Sequence, residues 1–302
     1  MLKRYFGIDV GNGYTKYNRG KFASRVDIGT LEEPFGEVHS VVFRGINYIV
    51  GSTNGASILT EDKYFTDNYL MLLLTGIALS EGNTSGSIEA SVTIGVPATQ
   101  YKKEKRDAIK EHLKGVHETI IVDGRKFEIF IKDIEVGMEG SLVFKTNATG
   151  KTLVIDIGAG TVNAVLWEGK RKKFEDTINK SFYALLTEMS GILKKKYDFN
   201  VEAEKVEGYV GAKAIKIKGS MKEVPELQML LSNFVESCAG TIQRNTKFEW
   251  ESVDSIEIMG GGAECTFKLF KDKYFKHANL VEDGQFINQQ VYELISKIKF
   301  GS

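Results

Sequence analysis

Two stretches of this 302-residue sequence carry the residue types that handle phosphate. One is Phe6-Gly7-Ile8-Asp9-Val10-Gly11-Asn12-Gly13; the other is Leu153-Val154-Ile155-Asp156-Ile157-Gly158-Ala159-Gly160. Asp falls on Asp and glycine on glycine at one offset: 9 on 156, 11 on 158, 13 on 160. A tight turn with two glycines lets backbone N–H groups approach phosphate oxygens without a Cβ in the way, which makes an anion nest. An Asp at the end of the preceding strand suits hydrated Mg²⁺, which one or two carboxylates hold through water. Lys16, three residues after Gly13, adds a positive charge for a β-phosphate. Hydroxyl-bearing strands follow each loop, Tyr14-Thr15 in one copy and Thr161 in the other. A third cluster, Gly260-Gly261-Gly262 in IEIMGGGAE, reads as strand, glycine turn and helix start, which allows close backbone approach to a flat or anionic ligand part. One glycine hairpin alone is most simply a plain turn; two matched copies and a third cluster point to a phosphate-bearing ligand.

These loops need strands and helices to hold them. The opening RYFGIDVGNGYTKYNRGKFASRV reads as three short strands with turns at Val10–Gly13 and Asn18–Gly20. Weak strand signals follow around Val41–Phe43 and Tyr48–Val50, then an apolar helix near Asn68–Leu79 and a strand Ala90–Val96 ended by Pro97. A polar helix is expected from about Thr99, as N-cap, to Lys114, closed by Gly115. Asp123-Gly124, between Thr119–Val122 and Lys126–Ile131, is the strongest hairpin signal. A short strand and turn then reach Gly137, and a helix is expected through Ser141–Lys145. The second loop copy follows, then helical periods at Phe182–Lys195 and Pro225–Arg244. In the latter, Leu227, Leu230, Leu231, Phe234, Val235, Cys238 and Ile242 share a face. Strand Ser255–Met259 leads into the third glycine cluster, and a last helix covers about Gln285–Lys297. Two loop copies half a chain apart imply duplicated α/β domains facing each other across a cleft.

Composition narrows the class. The apolar fraction of 42% with 26% charge excludes a disordered chain. Forty basic against forty acidic residues argue against bulk electrostatic nucleic-acid binding, so no direct contact with nucleic acid is expected. Glycine is abundant, 31 residues, beside three prolines. Cys238 and Cys265 make no CxxC pair, which suits a reducing cytosol, and the four histidines show no metal-ligand spacing. The N-terminus enters a strand with no signal peptide, and the apolar run Leu70–Leu79 falls far short of the ~20 residues a membrane span needs. A cytoplasmic protein without a membrane partner is expected.

The three glycine stretches, in this order and spacing, resemble the actin-like ATPase superfamily. FGIDVGNGYTK resembles its first phosphate motif, LVIDIGAGTVNAV its second and IEIMGGGAE its adenosine motif; IEVGMEGSLVF resembles the segment that carries the water-positioning residue. Finer features, KFASRV, TIGVPATQYKKEKRDAI and DGQFINQQVYELI, are similar to bacterial plasmid-partition filament proteins of the ParM type. The resemblance implies an actin-like (ribonuclease H-like) α/β fold, with duplicated domains around a nucleotide cleft. Domain I would span 1–146, with a smaller subdomain inserted at about 28–75. Domain II would span 147–302, with its own at about 172–245 and a C-terminal helix, about 285–298, packing back on domain I. Position by position, Asp9 and Asp156 would hold Mg²⁺ through water. Gly11, Asn12, Gly13, Tyr14, Gly158, Ala159, Gly160 and Thr161 would line the phosphates of ATP or ADP, with Lys16 reaching them. Gly260, Gly261 and Gly262 would approach the nucleoside, and Glu139 would orient the attacking water. Met138 stands where these proteins often have Pro, Asn163 where the second motif often has Asp, and Ala23 where a Pro is usual.

The resemblance implies a self-polymerising, nucleotide-dependent ATPase whose filaments segregate plasmid DNA through a DNA-binding adaptor protein, with GTP and GDP left open as alternative nucleotides. A small-molecule kinase of the same fold and a chaperone-like ATPase module are the alternatives. Glu139 has a plainer reading as well: Glu135 is only four residues away, and an acidic side chain at a helix start commonly just offsets the helix dipole. The basic run Lys102, Lys103, Lys105, Arg106 reads first as a solvated helix face and second as a filament or adaptor contact.

Overall fold

In the computed structural model, which describes residues 2–31, 37–52, 55–57, 62–147 and 149–301, the opening motif folds as a broken strand. β1 (Leu2–Gly7) stops at Ile8, and the chain resumes as β2 (Asp9–Val10), which pairs antiparallel with β3 (Tyr14–Tyr17), itself paired with β4 (Gly20–Ala23). Ile8 stays anchored, its N–H donating to the Thr93 carbonyl at 3.0 Å. Strands β5 (Arg25–Ile28), β6 (His39–Phe43), β7 (Ile46–Val50) and β8 (Ala56–Ser57) follow, then helix α1 (Asp67–Ser80), β9 (Gly86–Val96), helix α2 (Lys103–Leu113), β10 (His117–Val122) and β11 (Arg125–Met138). They form an eight-stranded sheet in the order β1-β9-β11-β10-β6-β7-β5-β8, with β9 parallel to both neighbours. The subdomain expected at 28–75 includes residues 32–36, 53, 54 and 58–61, which lie outside the described residues.

α1 is apolar on every side, so it belongs in the interior, and Tyr69 through Ser80 are all buried. Its hydroxyls are satisfied inside the helix: Thr75 Oγ1 donates to Met71 O and Ser80 Oγ to Gly76 O, each at 2.8 Å. Ile8, Val92, Ile94, Ile129 and Ile131 join α1 in one apolar cluster.

Two helix expectations need correction. After Pro97 the chain makes one 3₁₀ turn, Ala98–Gln100, then extends at Lys102, so Thr99 lies in that turn and the N-cap of α2 is Lys102. The Lys114–Gly115 end stands where expected, with Gly115 at φ +84°. The helix expected at Ser141–Lys145 is only a 3₁₀ turn, Leu142–Phe144. Before it, β11 runs unbroken to Met138, because a bulge at Lys132 takes up one residue and lets pairing with β9 continue.

By contacts the chain divides into two units, Met1–Ser141 with Phe286–Ser302, and Leu142–Gln285. The C-terminal helix Ile287–Phe300 belongs to the first, packed on β1, β9 and β11. It approaches so closely that a Cβ on Gly7 would lie 2.1 Å from the Glu293 nitrogen, and one on Gly95 would lie 2.0 Å from the Tyr292 hydroxyl.

The second unit repeats the strand plan without the break. β12 (Lys151–Ile157), β13 (Val162–Glu168) and β14 (Arg171–Ile178) form an antiparallel meander. Helices α3 (Phe182–Tyr197) and α4 (Ala203–Val206), hairpin β15 (Ala214–Ile217) and β16 (Ser220–Glu223), and helix α5 (Pro225–Arg244) come next. β17 (Ser255–Met259), helix α6 (Ala263–Lys273) and β18 (Ala278–Leu280) complete the unit. The sheet order is β14-β13-β12-β17-β18, with β17 parallel to both neighbours. β4-β3-β2 followed by β1-β9-β11 gives the first unit the same order. The apolar face read for α5 is buried at Leu227, Leu231, Phe234, Val235, Cys238 and Ile242, with Leu230 half-buried. No helix among the described residues is long and apolar enough to cross a membrane.

At Gly7 the clash beneath the C-terminal helix is with backbone, which cannot swing aside as a side chain can. Gly7→Ala should therefore lower unfolding free energy by about 3 kcal/mol or more, read from urea denaturation, whereas Ala at the open Gly191 should cost nothing comparable.

Candidate functional site

The two aspartate–glycine loops have one geometry. Asp9 stands opposite Lys16 across its hairpin and Asp156 opposite Asn163, at the same spacing. Gly11 N–H donates to the Tyr14 carbonyl at 3.1 Å, and Gly158 N–H to the Thr161 carbonyl at 2.9 Å. These bonds explain the first glycine of each loop, since a Cβ on Gly11 or Gly158 would lie 3.0 or 2.9 Å from that carbonyl oxygen. Both aspartates are 4% exposed, at the strand ends that feed the loops. Gly11, Asn12, Gly13 and Tyr14, and likewise Gly158, Ala159, Gly160 and Thr161, are half-buried, so each loop is reachable from solvent.

In the first unit, Lys16 Nζ donates to Asp9 Oδ2 at 2.8 Å, so its charge is shared with the carboxylate. Glu139 lies in the turn after β11, its N–H donating to the Val96 carbonyl at 2.9 Å. Gly140, at φ +76°, donates to Asn288 Oδ1 of the C-terminal helix at 3.2 Å. With only a three-residue 3₁₀ turn after it, Glu139 caps no α-helix, and the helix-dipole explanation falls away. Glu135 is occupied elsewhere: it is buried, accepts the Val136 N–H, and pairs with Lys110 and Lys299.

Lys63 was not legible as a site residue. It is 6% exposed, in the 3₁₀ turn ahead of α1, and its Nζ donates to the Val10 carbonyl at 2.8 Å and Asn12 Oδ1 at 2.9 Å. Burial pulls its pKa below the ordinary lysine value, opposed by the Glu139 and Asp9 carboxylates and assisted by Lys16. The first unit therefore brings Asp9, Lys16, Lys63 and Glu139 into one electrostatic group. Tyr64 and Tyr69 border it. Burial first, and then the Asp9 and Glu139 carboxylates, with the Tyr69 phenol adding to the effect on Tyr64, push both hydroxyls well above the usual tyrosine range, so they remain protonated. A lone lysine before an apolar helix gave no periodic signal for burial.

In the second unit the glycine cluster lies against the Asp156 loop. Gly260 has φ +97°, and a Cβ there would lie 2.4 Å from Asp156 Oδ1; one on Gly262 would lie 2.7 Å from Ile157 Cγ2. A Cβ on Gly261 would meet nothing within 4 Å. Gly260 and Gly262 thus serve close packing, and Gly261 leaves open space. Asn163, 1% exposed, accepts from Thr177 Oγ1 at 2.8 Å, a neutral tie opposite Asp156.

Other candidates lie outside this chemistry. Burial pushes the Cys238 thiol up to about 12 and Cys265 up to about 11, so neither supplies a thiolate at neutral pH. His39 is bonded to Asp123 and His117 to Glu128. Of the basic run, Lys105 pairs with Asp62 and Arg106 lies over the Tyr101 ring, while Lys102 and Lys103 are exposed. Among the described residues no group of three or more His, Cys, Asp or Glu could ligate a metal directly. Holding Mg²⁺ through water requires only one or two carboxylates, and the strand-end aspartates fit that mode.

Residues 7–141 match the family model for the N-terminal domain of actin-like proteins. No curated protein matches the sequence. Among solved structures, the archaeal actin homolog Ta0583 superposes with a TM-score of 0.79 at 16% identity, covering 99% of this chain and 100% of that one. Its complex with ADP gives 0.76 at 16% identity, with the same coverage. A ParM from Clostridium botulinum, solved as a 15-stranded filament, gives 0.77 at 18% identity, covering 99% and 100%. Fold and comparisons together define the class: the chain has the actin-like fold, with the duplicated domains that the repeat implies.

The glycine geometry makes a graded expectation. Gly260→Ala and Gly262→Ala should lower the thermal midpoint by several degrees, while Gly261→Ala should leave it in place. Differential scanning fluorimetry of the three variants checks this.

Proposed function

We propose that this protein is a nucleotide-dependent, self-polymerising actin-like ATPase whose filaments separate plasmid or other DNA copies in the cytoplasm. The observation that carries the reading is the duplicated loop: a buried aspartate, a glycine closed by the same backbone bond, and solvent access, at one sequence offset. The ADP complex of the archaeal homolog and the filament of the clostridial ParM support nucleotide binding and self-association.

In this reading the loops Gly11–Tyr14 and Gly158–Thr161 line the phosphates, whose oxygens accept from N–H groups beyond the first glycine of each loop, that glycine's own N–H being used to close the turn. Lys16 adds charge from beside Asp9. Gly260, Gly261 and Gly262 give the nucleoside close access to backbone, with Gly261 the open position. The strand-end carboxylates of Asp9 and Asp156 would each be suited to hold Mg²⁺ through water, and the ion would supply neutralisation of the phosphate charge. Glu139 orients and polarises the water that attacks the γ-phosphorus in line; the new P–O bond forms as the bond to the bridging oxygen breaks. Bound triphosphate favours the self-associating conformation, and hydrolysis weakens the contacts between copies. A DNA-binding adaptor protein would link the polymer to its cargo. ATP is the nucleotide proposed, and a GTP titration measures the alternative.

Electron microscopy with Mg-ATP tests the reading: filaments should form at tens of micromolar protein. No polymers, together with sugar-stimulated ADP release, would instead indicate a kinase. Glu139→Ala should slow phosphate release about 100-fold or more while nucleotide-driven assembly persists. Loss of assembly along with hydrolysis would remove Glu139 from the assigned role.

A further inference from the structure

A cation buried without a carboxylate partner is expensive, so its retention calls for a use. Lys63 is such a cation: its hydrogen bonds go to two neutral oxygens, and Asp9 is taken by Lys16. No carboxylate among the described residues completes an ion pair with it. Both oxygens belong to the first glycine loop, one from the Val10 backbone and one from the Asn12 side chain.

The second loop shows what such bonds accomplish. Ile157 holds the place of Val10 in the repeat, and its carbonyl accepts from Gly262 N–H at 3.0 Å. Ala159 holds the place of Asn12, and its carbonyl accepts from Tyr183 N–H at 3.1 Å and from Ser181 Oγ at 2.5 Å. The acceptors of the second loop are thus drawn inward by backbone and hydroxyl donors of its own unit, leaving N–H groups on the open side. An oxygen acceptor left facing an anion would repel it.

We propose that Lys63 is a positioning residue for nucleotide binding: it draws in the Val10 carbonyl and Asn12 Oδ1, so that the first loop presents N–H groups and the Asn12 amide nitrogen to the terminal phosphates of a nucleoside triphosphate. With Oδ1 bonded to the ammonium, Nδ2 is the donor left to the other side. One ammonium does for the first loop what three neutral donors do for the second, and it adds a full positive charge beneath the anion site. The surroundings suit a cation awaiting an anion: Glu139 and Asp9 raise the stability of the charge, Lys16 opposes it, and the protonated phenols of Tyr64 and Tyr69 are neutral.

This rests on the nucleotide reading above, and the experiment separates the two. Binding of fluorescent ATP and ADP analogues with Mg²⁺ is measured first on the unaltered chain; no binding of either overturns the nucleotide reading itself. Given binding, Lys63→Met should weaken ATP about tenfold or more and ADP less, with the apo thermal midpoint unchanged or raised. Lys63→Gln, which keeps an amide donor for the acceptors without the charge, should recover part of the ATP affinity and serves if the methionine variant does not fold. Asn12→Ala should weaken ATP similarly, and adding Lys63→Met to it should cost little more, because the two act as one unit. An unchanged ATP-to-ADP affinity ratio in a folded Lys63 variant, glutamine no better than methionine, or losses that multiply in the double variant would each overturn the proposal.

Discussion

Carbonyl oxygens and phosphate oxygens repel, so a loop open to an anion must turn its own acceptors inward and hold them there. Both glycine loops of this chain meet that constraint, and much of the surrounding structure follows from it. The bond from Gly11 to Tyr14, repeated from Gly158 to Thr161, sets the turn and excludes a Cβ. The inward carbonyl of Ile157 needs the Gly262 N–H, which brings the third glycine cluster against the second loop. The inward carbonyl of Val10 accepts from Lys63, whose side chain reaches it from the turn ahead of α1.

Close approach explains a second set of glycines, far from any ligand chemistry. Gly7, Gly95 and Gly137 lie on three neighbouring strands, and each lacks room for a Cβ because the C-terminal helix lies directly on them. Thr93 and Ser296 hydroxyls meet at 2.8 Å in that interface, and Ser296 also donates to the Phe6 carbonyl. The helix therefore stiffens the strands leading to Asp9 and Glu139. Glycine abundance thus has two physical sources here, tight loop turns and close approach of the C-terminal helix, and composition alone does not separate them.

Much of the fold was readable because local pattern and tertiary demand agreed. Asp123-Gly124 folds as a hairpin turn with both residues at positive φ, and Pro225 opens a helix ending at Arg244, as their residue types require. Reading failed where a distant partner decided. Pairing with β9 carries β11 past Lys132 to Met138, and no local signal marks a bulge that keeps a ladder in register. Thr99 is a good N-cap by type, but Pro97 starts a 3₁₀ turn that uses it up before the helix begins. Glu139 and Glu135 are alike in sequence; only tertiary structure brings the lysines of α2 and the C-terminal helix to Glu135.

The sequence by itself determined the repeat, because each loop is a local device whose residue types must recur wherever the same backbone bond and strand-end carboxylate recur. It also determined the α/β class and the amphipathic helices, which depend on spacing within a few turns. Tertiary structure alone decided what lies beneath the loops. A lysine in TEDKYF carries no mark of burial, and only the folding of α1 against β2 and β3 brings its ammonium to Val10 and Asn12. The reason is physical: hydrogen bonds between residues fifty positions apart depend on chain geometry, and no local preference records them.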